Sequence, residues 1–375
     1  MTDASQDRVS VEELGALARR VLTEQTKRRE ALEVGASAAS EKMWRTAGEL
    51  GWFLLTIPVD QDGLGQDFSV LSALYTELGR ALSPVPLLNA MLAADALTSA
   101  TNEEASELLQ SIGSGEAVFA VQIPGAKPVG ARRDGTGITL TGELAAVAFP
   151  ANATHLLLAI DIDNQPGLMA ASLEEFGVRP IVRETWDRTR EIASVDLNGV
   201  RVGASALIRS GNVAEERLRS TQAHFDLAIA CDSIGGAEMI LTETVDYTKT
   251  RRQFGREIGS FQALKHRCAD MKTWLESARA LTNEAVARYA AGEIESPFPA
   301  SAKYYACEIF RRIAMDAVQI HGGIGFTWEQ DCHLFLKRAL LNEQLGGAPS
   351  DYQDRLFEPL SDLVSQRQVS GADGR

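Results

Sequence analysis

The N-terminal part of the chain carries apolar side chains at steps of three and four residues, the spacing of one helix face. The stretch from Val11 to Leu22 shows this pattern, and the segments EKMWRTAGELGWFLL and SVLSALYTELGRAL repeat it. The turn-rich sequences PVDQDGLG and SPVP interrupt it. We therefore predict an N-terminal helical domain over residues 1–112.

From residue 113 the pattern changes to short apolar runs, which glycine, proline, asparagine and aspartate separate. Such runs are typical of strands, and the candidates are AVFAVQI, GITLTGELAAVAF, HLLLAID, GLMAASL and IASVDL. Closely spaced strands favour a small barrel or sandwich. The pattern predicts a middle β domain over residues 113–210.

Helical periodicity returns after residue 211 and continues to about residue 365. One predicted helix carries a narrow apolar seam at four- and three-residue steps: Leu264, Cys268, Met271, Leu275 and Ala278. We predict a C-terminal helical bundle over 211–365 and a flexible tail, SQRQVSGADGR, that includes residues 366–375. The predicted fold class is α+β.

Composition and charge narrow the classes of function. The chain has 375 residues, of which 45% are apolar and 23% charged, as in ordinary globular proteins. The formal net charge of -14 disfavours nucleic acid and anionic membranes as partners. No apolar run reaches the roughly 18 residues of a membrane span, and the polar, acidic N-terminus lacks a secretory signal. The four cysteines are dispersed without metal-ligand spacing, so we expect a cytoplasmic protein with no metal site.

A basic segment, YTKTRRQFGREIGSFQALKHRCADM, begins at residue 247. Arg251, Arg252 and Arg256 place three guanidinium groups close together in an acidic chain, and guanidinium groups bind phosphate oxygens in a bidentate manner. A solvated basic corner, with Phe254 and Phe261 as core anchors, is the alternative interpretation.

A glycine-rich segment, QIHGGIGFTWE, follows the end of a predicted helix. Gly322, Gly323 and Gly325 would let backbone amides approach an anion closely, and Gln319 could donate or accept from the preceding helical turn. A purely structural turn is the alternative interpretation. The segment is not the dinucleotide fingerprint, because no strand precedes it.

Together, and in this order, the two segments resemble the signatures of the acyl-CoA dehydrogenase family, R-x-Q-F-G…F-Q…H…A-D-M and Q-x-x-G-G-x-G. The matching residues are Arg251, Gln253, Phe254, Gly255, Phe261, Gln262, His266, Ala269, Asp270, Met271, Gln319, Gly322, Gly323 and Gly325. The resemblance covers nearly the whole chain, since PVDQDGLG, ELGRALSPVP and DLNGVRV also look like family segments. It implies an N-terminal helical domain, a middle β domain and a C-terminal four-helix bundle, usually in a dimer-of-dimers tetramer.

The resemblance also implies a cofactor, flavin adenine dinucleotide (FAD), and an acyl-CoA thioester as substrate. The implied contacts to the ADP part of FAD are Arg251, Phe254 and Gln262, and those to its pyrophosphate are Gln319, Gly322 and Gly323. In this family these residues reach the flavin of a neighbouring subunit, so they form the trans half of a shared site.

Two family features are absent from the sequence. The loop from Ala120 to Gly130, AVQIPGAKPVG, lacks the hydroxyl residues of the family's T-E-P-x-x-G-S-D loop, which holds a flavin in the chain's own middle domain. The catalytic glutamate is missing from both positions that the family uses: Gly346 stands near one, and Phe225-Asp226 near the other. Asp226, rotated by about 100° on a helix, is the candidate base, and Glu343 is an alternative.

Three functions remain open. The favoured one is a subunit that gives the trans half of an FAD site to a catalytic partner, as in base-lacking subunits of bacterial α2β2 dehydrogenases for steroid side chains. The second is a self-sufficient homotetrameric dehydrogenase with a displaced base. The third is a non-redox protein that binds a CoA thioester. The first is favoured because the trans contacts are retained while the cis contacts are lost.

Overall fold

The computed structural model describes residues 9–100 and 102–357, so the predicted tail over 366–375 lies outside the described residues. The N-terminal part is helical, as predicted. Its helices are α1 (Val11–Gln25), α2 (Glu30–Val34), α3 (Ala36–Glu49), α4 (Phe68–Ala81), α5 (Leu87–Leu97) and α6 (Glu103–Gly113). The Asp67 carboxylate caps α4 by accepting from the Ser69 backbone N–H at 2.9 Å. Helix α5 is buried on nearly every side, so it forms the centre of this part.

The middle part contains ten strands and one short helix among the described residues. These are β1 (Phe119–Gln122), β2 (Val129–Asp134), β3 (Gly137–Thr141), β4 (Glu143–Ala148), β5 (His155–Ile162), β6 (Gln165–Ser172), α7 (Leu173–Phe176), β7 (Ile181–Arg183), β8 (Ile192–Asp196), β9 (Arg201–Gly203) and β10 (Leu207–Ser210). The strand order is β7-β8-β4-β1-β5-β2-β3-β9, with β6 between β5 and β10. Along one edge, β5 pairs first with β1 and then with β2, so the sheet divides into two halves. The two halves enclose a hydrophobic core that belongs to the β part.

The C-terminal part is a bundle of long helices with one small hairpin. Its elements are α8 (Asn212–Thr250), β11 (Arg252–Gln253), β12 (Arg256–Glu257), α9 (Gln262–Ala290), α10 (Phe298–His321) and α11 (Cys332–Gln344), and residues 349–357 are also helical. Met271, Leu275 and Ala278 of the predicted seam are buried in α9, and Leu264 and Cys268 pack against the same core. The α+β fold with helical, β and helical parts in this order is confirmed, while the exact domain boundaries stay predictions.

Helix α8 connects the regions that matter for function. It is 39 residues long, or roughly 58 Å at 1.5 Å per residue, and it packs against α4, α5, α9, α10 and α11. Its middle section is buried on all sides, although Thr250 at its C-terminal end is exposed. Within the described ranges, none of the helices has both the length and the apolar character needed to cross a membrane.

Candidate functional site at the two ends of α8

A cavity lies between α4, α5, the ends of β1 and β4, and α8, and we call it the α8 cavity. Its volume is about 80 Å³, and it is partly open to solvent. Helix α8 lines it with Phe225, Ala228 and Asp232, which share one helix face and span about 10 Å along the axis. Most of the wall is apolar, and includes Leu78, Leu88, Leu92, Val121, Phe149 and Ile192.

One end of the α8 cavity is polar, because a group of buried charges meets there. Arg338 is only 1% exposed, and its guanidinium donates to Asp187 at 2.6 Å and to Asp232 at 2.9 Å. Arg190 pairs with the same Asp232 carboxylate at 3.0 Å. Burial raises the pKa of Asp232, but the charges of Arg338 and Arg190 outweigh burial and hold this pKa below its usual value. Asp232 is therefore an ionised carboxylate held in ion pairs.

A second carboxylate at this end, Glu191, is also held in place. Its oxygens accept hydrogen bonds from the Ser37 hydroxyl and from the Ala151 backbone N–H, the latter at 2.8 Å. Ser37 belongs to α3 and Ala151 follows β4, so this carboxylate ties the N-terminal helices to the β part.

Asp226, the candidate base, follows Phe225 on α8 but does not line the cavity. Its carboxylate is fully buried and accepts from Tyr352 at 2.5 Å and from Gln222 at 2.9 Å, with Arg355 at 3.3 Å. Burial raises the pKa of Asp226, while Arg355 and Tyr352 act in the opposite direction. The catalytic role of Asp226 stays a prediction.

Glu343, the alternative base, also lies away from the α8 cavity. Its carboxylate accepts from the Arg311 guanidinium at 2.9 Å, and both residues line a separate surface depression with Lys303 and Tyr352. The turn that follows contains Gly346, which in the sequence stands near one expected position of a catalytic glutamate. A Cβ built on Gly346 would lie only 2.7 Å from the Phe225 ring, so the turn is closely packed.

The loop after β1 makes hydrogen bonds within itself and packs closely against α8. The Gln122 amide donates to the Lys127 carbonyl at 2.9 Å and accepts from the Ala159 backbone N–H at 2.8 Å. At Gly125, a Cβ would meet the Gly346 carbonyl at 2.8 Å and the Gln222 side chain at 3.0 Å. The loop that would hold a flavin in this chain's own middle domain is therefore occupied by internal contacts. We call the part of α8 from Gln222 to Asp232, with this loop, the closed end.

The other end of α8 brings the two sequence motifs together. The rings of Tyr247 in α8 and His321 in α10 stack with their centroids 4.2 Å apart. Arg251 is one helical turn beyond Tyr247, to which its backbone N–H donates at 2.9 Å, and Gly322 directly follows His321. The basic segment and the glycine-rich segment thus lie side by side, and we call this region, from residue 247 to 262 with residues 319–323, the open end.

All six predicted cofactor contacts at the open end are exposed: Arg251, Phe254, Gln262, Gln319, Gly322 and Gly323. Phe254 is 90% exposed at a φ of 53°, so its interpretation as a core anchor is wrong. Around Gly322 and Gly323 a Cβ would meet no described atom within 4 Å, which leaves the backbone open to an approaching anion. The arrangement fits the phosphates of a dinucleotide, although the role of each residue stays a prediction.

The two ends are too far apart to serve one cofactor. Arg251 follows Gln222 by 29 positions, which is roughly 43 Å along a straight helix. An extended flavin adenine dinucleotide is much shorter than this.

Sequence reasoning missed the charged group at the polar end of the cavity. A signal was present, because Asp232 interrupts the apolar run FDLAIACDSIGG and Arg338 lies within LFLKRALL. A charge on a buried helix face needs a partner, so the aspartate predicts a nearby cation and the arginine predicts a nearby anion. The spacing gives no indication of which residues pair.

Comparison with known proteins gives matches at both ends of the chain. The model of the acyl-CoA dehydrogenase N-terminal domain matches residues 10–116, and that of the C-terminal domain matches residues 217–353. The chain is 34% identical over 316 residues to acyl-CoA dehydrogenase IpdE2 of Mycolicibacterium smegmatis, covering 84% of this chain and 86% of that protein. IpdE2 of Mycobacterium tuberculosis is 31% identical over 320 residues, with the same coverage of both proteins.

Two solved structures of two-component assemblies resemble this chain over most of its length. One is the steroid ACAD Tcur3481-Tcur3483, with a TM-score of 0.86, 27% identity and coverage of 95% of this chain and 98% of that one. The other is the ChsE4-ChsE5 complex from Mycobacterium tuberculosis, with a TM-score of 0.83, 26% identity and coverage of 94% and 97%.

Proposed function

Because the chain belongs to the acyl-CoA dehydrogenase family of oxidoreductases, we propose that it is the subunit of a mixed assembly that completes a partner's FAD site. The reaction of the assembly is the α,β-dehydrogenation of an acyl-CoA thioester. The observation that carries the proposal is the contrast between the ends of α8. At the open end the backbone is accessible to a ligand, whereas at the closed end the loop after β1 is held by the chain's own contacts.

The open end supplies the binding half of the site. Arg251 would hold phosphate oxygens with its guanidinium, and the exposed backbone at Gly322 and Gly323 would approach the pyrophosphate. Gln262 and Gln319 add side-chain amides that both donate and accept. Bound FAD would supply the hydride acceptor for the reaction. The residues of this chain bind and orient that cofactor from across an interface.

The closed end supports the absence of a second flavin in this chain's own middle domain. Both polar functions of the Gln122 amide are used by Lys127 and Ala159. The loop backbone at Gly125 lies against Gly346, in the region where a flavin ring would have to enter. Binding a ring there would require the loop to break these contacts and move away from α8.

The proton chemistry is also assigned to the partner. A carboxylate base that takes the α-proton contributes roughly 10²–10⁴-fold to the rate. Among the described residues, the carboxylates that line the α8 cavity are Asp232, held by Arg338 and Arg190, and Glu191, held by Ser37 and Ala151. A carboxylate stabilised in its ionised form by two guanidinium groups is a weak base. Gly346, near one of the family's positions for the glutamate, carries no side chain at all.

The similar structures support a mixed assembly. Each of the two described above pairs two differently named chains, and both resemble this chain over more than nine-tenths of its length. We propose an α2β2 tetramer with a sister chain of the same family, in which complete FAD sites form only where the two kinds of chain meet. By the name of the Tcur3481-Tcur3483 protein, a steroid-derived acyl-CoA is the proposed substrate class.

The test is native mass spectrometry combined with flavin absorbance, on the chain purified alone and after coexpression with a candidate sister chain from the same genome. We expect a colourless protein when the chain is alone, and a mixed tetramer with half as many flavins as chains after coexpression. A yellow homotetramer with one flavin per chain that oxidises an acyl-CoA unaided would instead establish the self-sufficient enzyme. A mixed tetramer that never binds flavin would favour non-redox binding of a CoA thioester.

A further inference from the structure

We propose that the α8 cavity of this chain binds an acyl thioester whose far end carries an uncharged oxygen, and that Arg190 recognises this oxygen. The inference rests on the proposed function only in taking acyl-CoA as the class of ligand. It adds a specificity-determining residue and a chemical description of the acyl group. It concerns a cavity in a chain to which we assign no catalytic base.

Arg190 differs from the other members of its buried charged group in having donors to spare. Arg338 directs its guanidinium to Asp187, Asp232 and Thr189, so its donors are used within the chain. Arg190 lines the α8 cavity with 20% of its side chain exposed, and the contact that its guanidinium makes is the one to Asp232. A guanidinium carries five N–H donors, so Arg190 keeps donors for a ligand within the described part of the chain.

A purely structural role accounts for Arg338 but not for Arg190. Holding the loop between β7 and β8 against the bundle requires the buried bonds from Arg338 to Asp187 and Thr189. Arg190 adds a single ion pair to that arrangement, and its partly exposed side chain lines the polar end of the cavity. A ligand oxygen that enters this end of the cavity can accept a hydrogen bond from the spare donors of Arg190.

The local charges select an uncharged acceptor. Two cations, Arg190 and Arg338, face two anions, Asp187 and Asp232, and their charges balance. Glu191 beside them adds a further negative charge. A ligand carboxylate would therefore enter a region without surplus positive charge and would also lose its hydration. A hydroxyl or carbonyl oxygen can accept the hydrogen bond of Arg190 without that penalty.

The position of Arg190 fixes the geometry of the ligand. Phe225, beside the turn at Gly346, and Asp232, beside Arg190, lie about 10 Å apart along α8. The wall between them is apolar and stabilises a hydrocarbon chain or ring system by burial. A matching ligand has its thioester near Phe225, an apolar middle, and an oxygen at the far end.

The experiment is calorimetric titration of the full chain, purified alone, with three CoA thioesters of equal chain length: decanoyl-CoA, ω-hydroxydecanoyl-CoA and ω-carboxynonanoyl-CoA. We expect the ω-hydroxy compound to bind roughly tenfold more tightly than decanoyl-CoA, as for a hydrogen bond with one charged partner. The ω-carboxy compound should bind most weakly. Arg190→Leu should remove the preference for the hydroxyl compound over decanoyl-CoA.

Arg188→Leu is the matched control, because Arg188 lies in the same loop but is exposed to solvent. It should keep the preference. If Arg190→Leu does not fold, Arg190→Lys keeps the positive charge beside Asp232 but not the spare guanidinium donors, so the preference should shrink. Tightest binding of the carboxylate compound, equal binding of all three, or no binding would overturn the inference. Flavin content is measured separately, which distinguishes the two proposals. One flavin for every two chains without a preference for the hydroxyl compound would contradict this inference alone. A preference for the hydroxyl compound in a self-sufficient homotetramer would contradict the proposed function alone.

Discussion

The closed and open ends of α8 contain the same kinds of residue. At the closed end their charged groups are paired within the chain, whereas at the open end they are exposed. At the closed end the arginine that dominates, Arg338, is 1% exposed and makes its bonds to carboxylates of the same chain. At the open end Arg251 is exposed, and Phe254 beside it is 90% exposed. A buried charge must be paired within the fold, whereas an exposed charge remains available to bind a ligand. The difference is what the proposed sharing of an FAD site between two chains rests on.

Arg338→Met should have the largest effect on the comparison, because it removes the main partner of two buried carboxylates. We expect a loss of about 3–5 kcal/mol in the free energy of unfolding, as for other broken buried ion pairs. Urea denaturation followed by circular dichroism measures it. Arg267→Met is the control, since the Arg267–Asp316 pair is partly exposed and should contribute less than about 1 kcal/mol. Equal losses in both variants would show that burial does not set the contribution of the Arg338 ion pairs.

Arg251→Ala tests the open end, where the expected effect is on binding and not on stability. Loss of a charge-assisted phosphate contact of about 1.5–3 kcal/mol should weaken flavin binding by the assembled protein about tenfold to a hundredfold. Flavin retained after dialysis, measured by absorbance, gives the result, and the melting temperature should not change. Arg252→Ala, next to it and equally exposed, should leave flavin content intact. Undiminished flavin in Arg251→Ala would exclude this residue from the site.

His224 gives the closed end a pH dependence that the open end does not need. The His224 ring forms a hydrogen bond of 2.8 Å with the Tyr75 hydroxyl, and burial lowers the pKa of His224 to about 4. The unfolded chain binds the proton with a pKa near 6.5, so the free energy of unfolding should fall as the pH drops from about 6.5 toward 4 and stay level above that range. The loss should be on the order of 2 kcal/mol at pH 5. His224→Gln, which does not titrate, should show a smaller slope over this range. An unchanged slope would mean that His224 is not buried in its neutral form.

Asp226→Asn should have the smallest effect. The carboxylate is turned away from the α8 cavity, and an asparagine oxygen can still accept from Tyr352. Bleaching of the flavin by an acyl-CoA in the mixed assembly should proceed at the rate of the unaltered protein. A loss of a hundredfold or more would identify Asp226 as the base and make the closed end catalytic. Tyr352→Phe, which removes the donor but not the acid, separates that outcome from a change in packing.

The open end could be predicted from the sequence because its residues lie in two short segments. The order of residues within each segment carried the resemblance, and the helical spacing placed Gln262 on a helix that the structure also has. The helical and strand regions followed from periodicity for the same reason, since each element is local. The short edge strand β7 was missed because Ile181 and Val182 are exposed, so it lacks the alternation of a half-buried strand.

The closed end could not be predicted in the same way. Arg338 and Asp187 are far apart in sequence, and only the packing of the loop between β7 and β8 on the bundle brings them together. Phe254 shows the same limit in a different way. The alternative interpretation of the basic segment makes it a core anchor, but the hairpin of β11 and β12 holds it out in solvent. Burial of a single residue depends on tertiary contacts that its neighbours in sequence do not determine.

The packing at Gly346 has an evolutionary consequence. Its φ of 79° is rarely adopted by other residues, and a Cβ there would lie 2.7 Å from the Phe225 ring and 3.0 Å from the Tyr352 hydroxyl. A glutamate introduced at this position would thus be strained and obstructed until Phe225 and Tyr352 had also changed. In the proposed mixed assembly, a single substitution at this turn would therefore not give the chain its own base, so selection would act on the two partners as one unit.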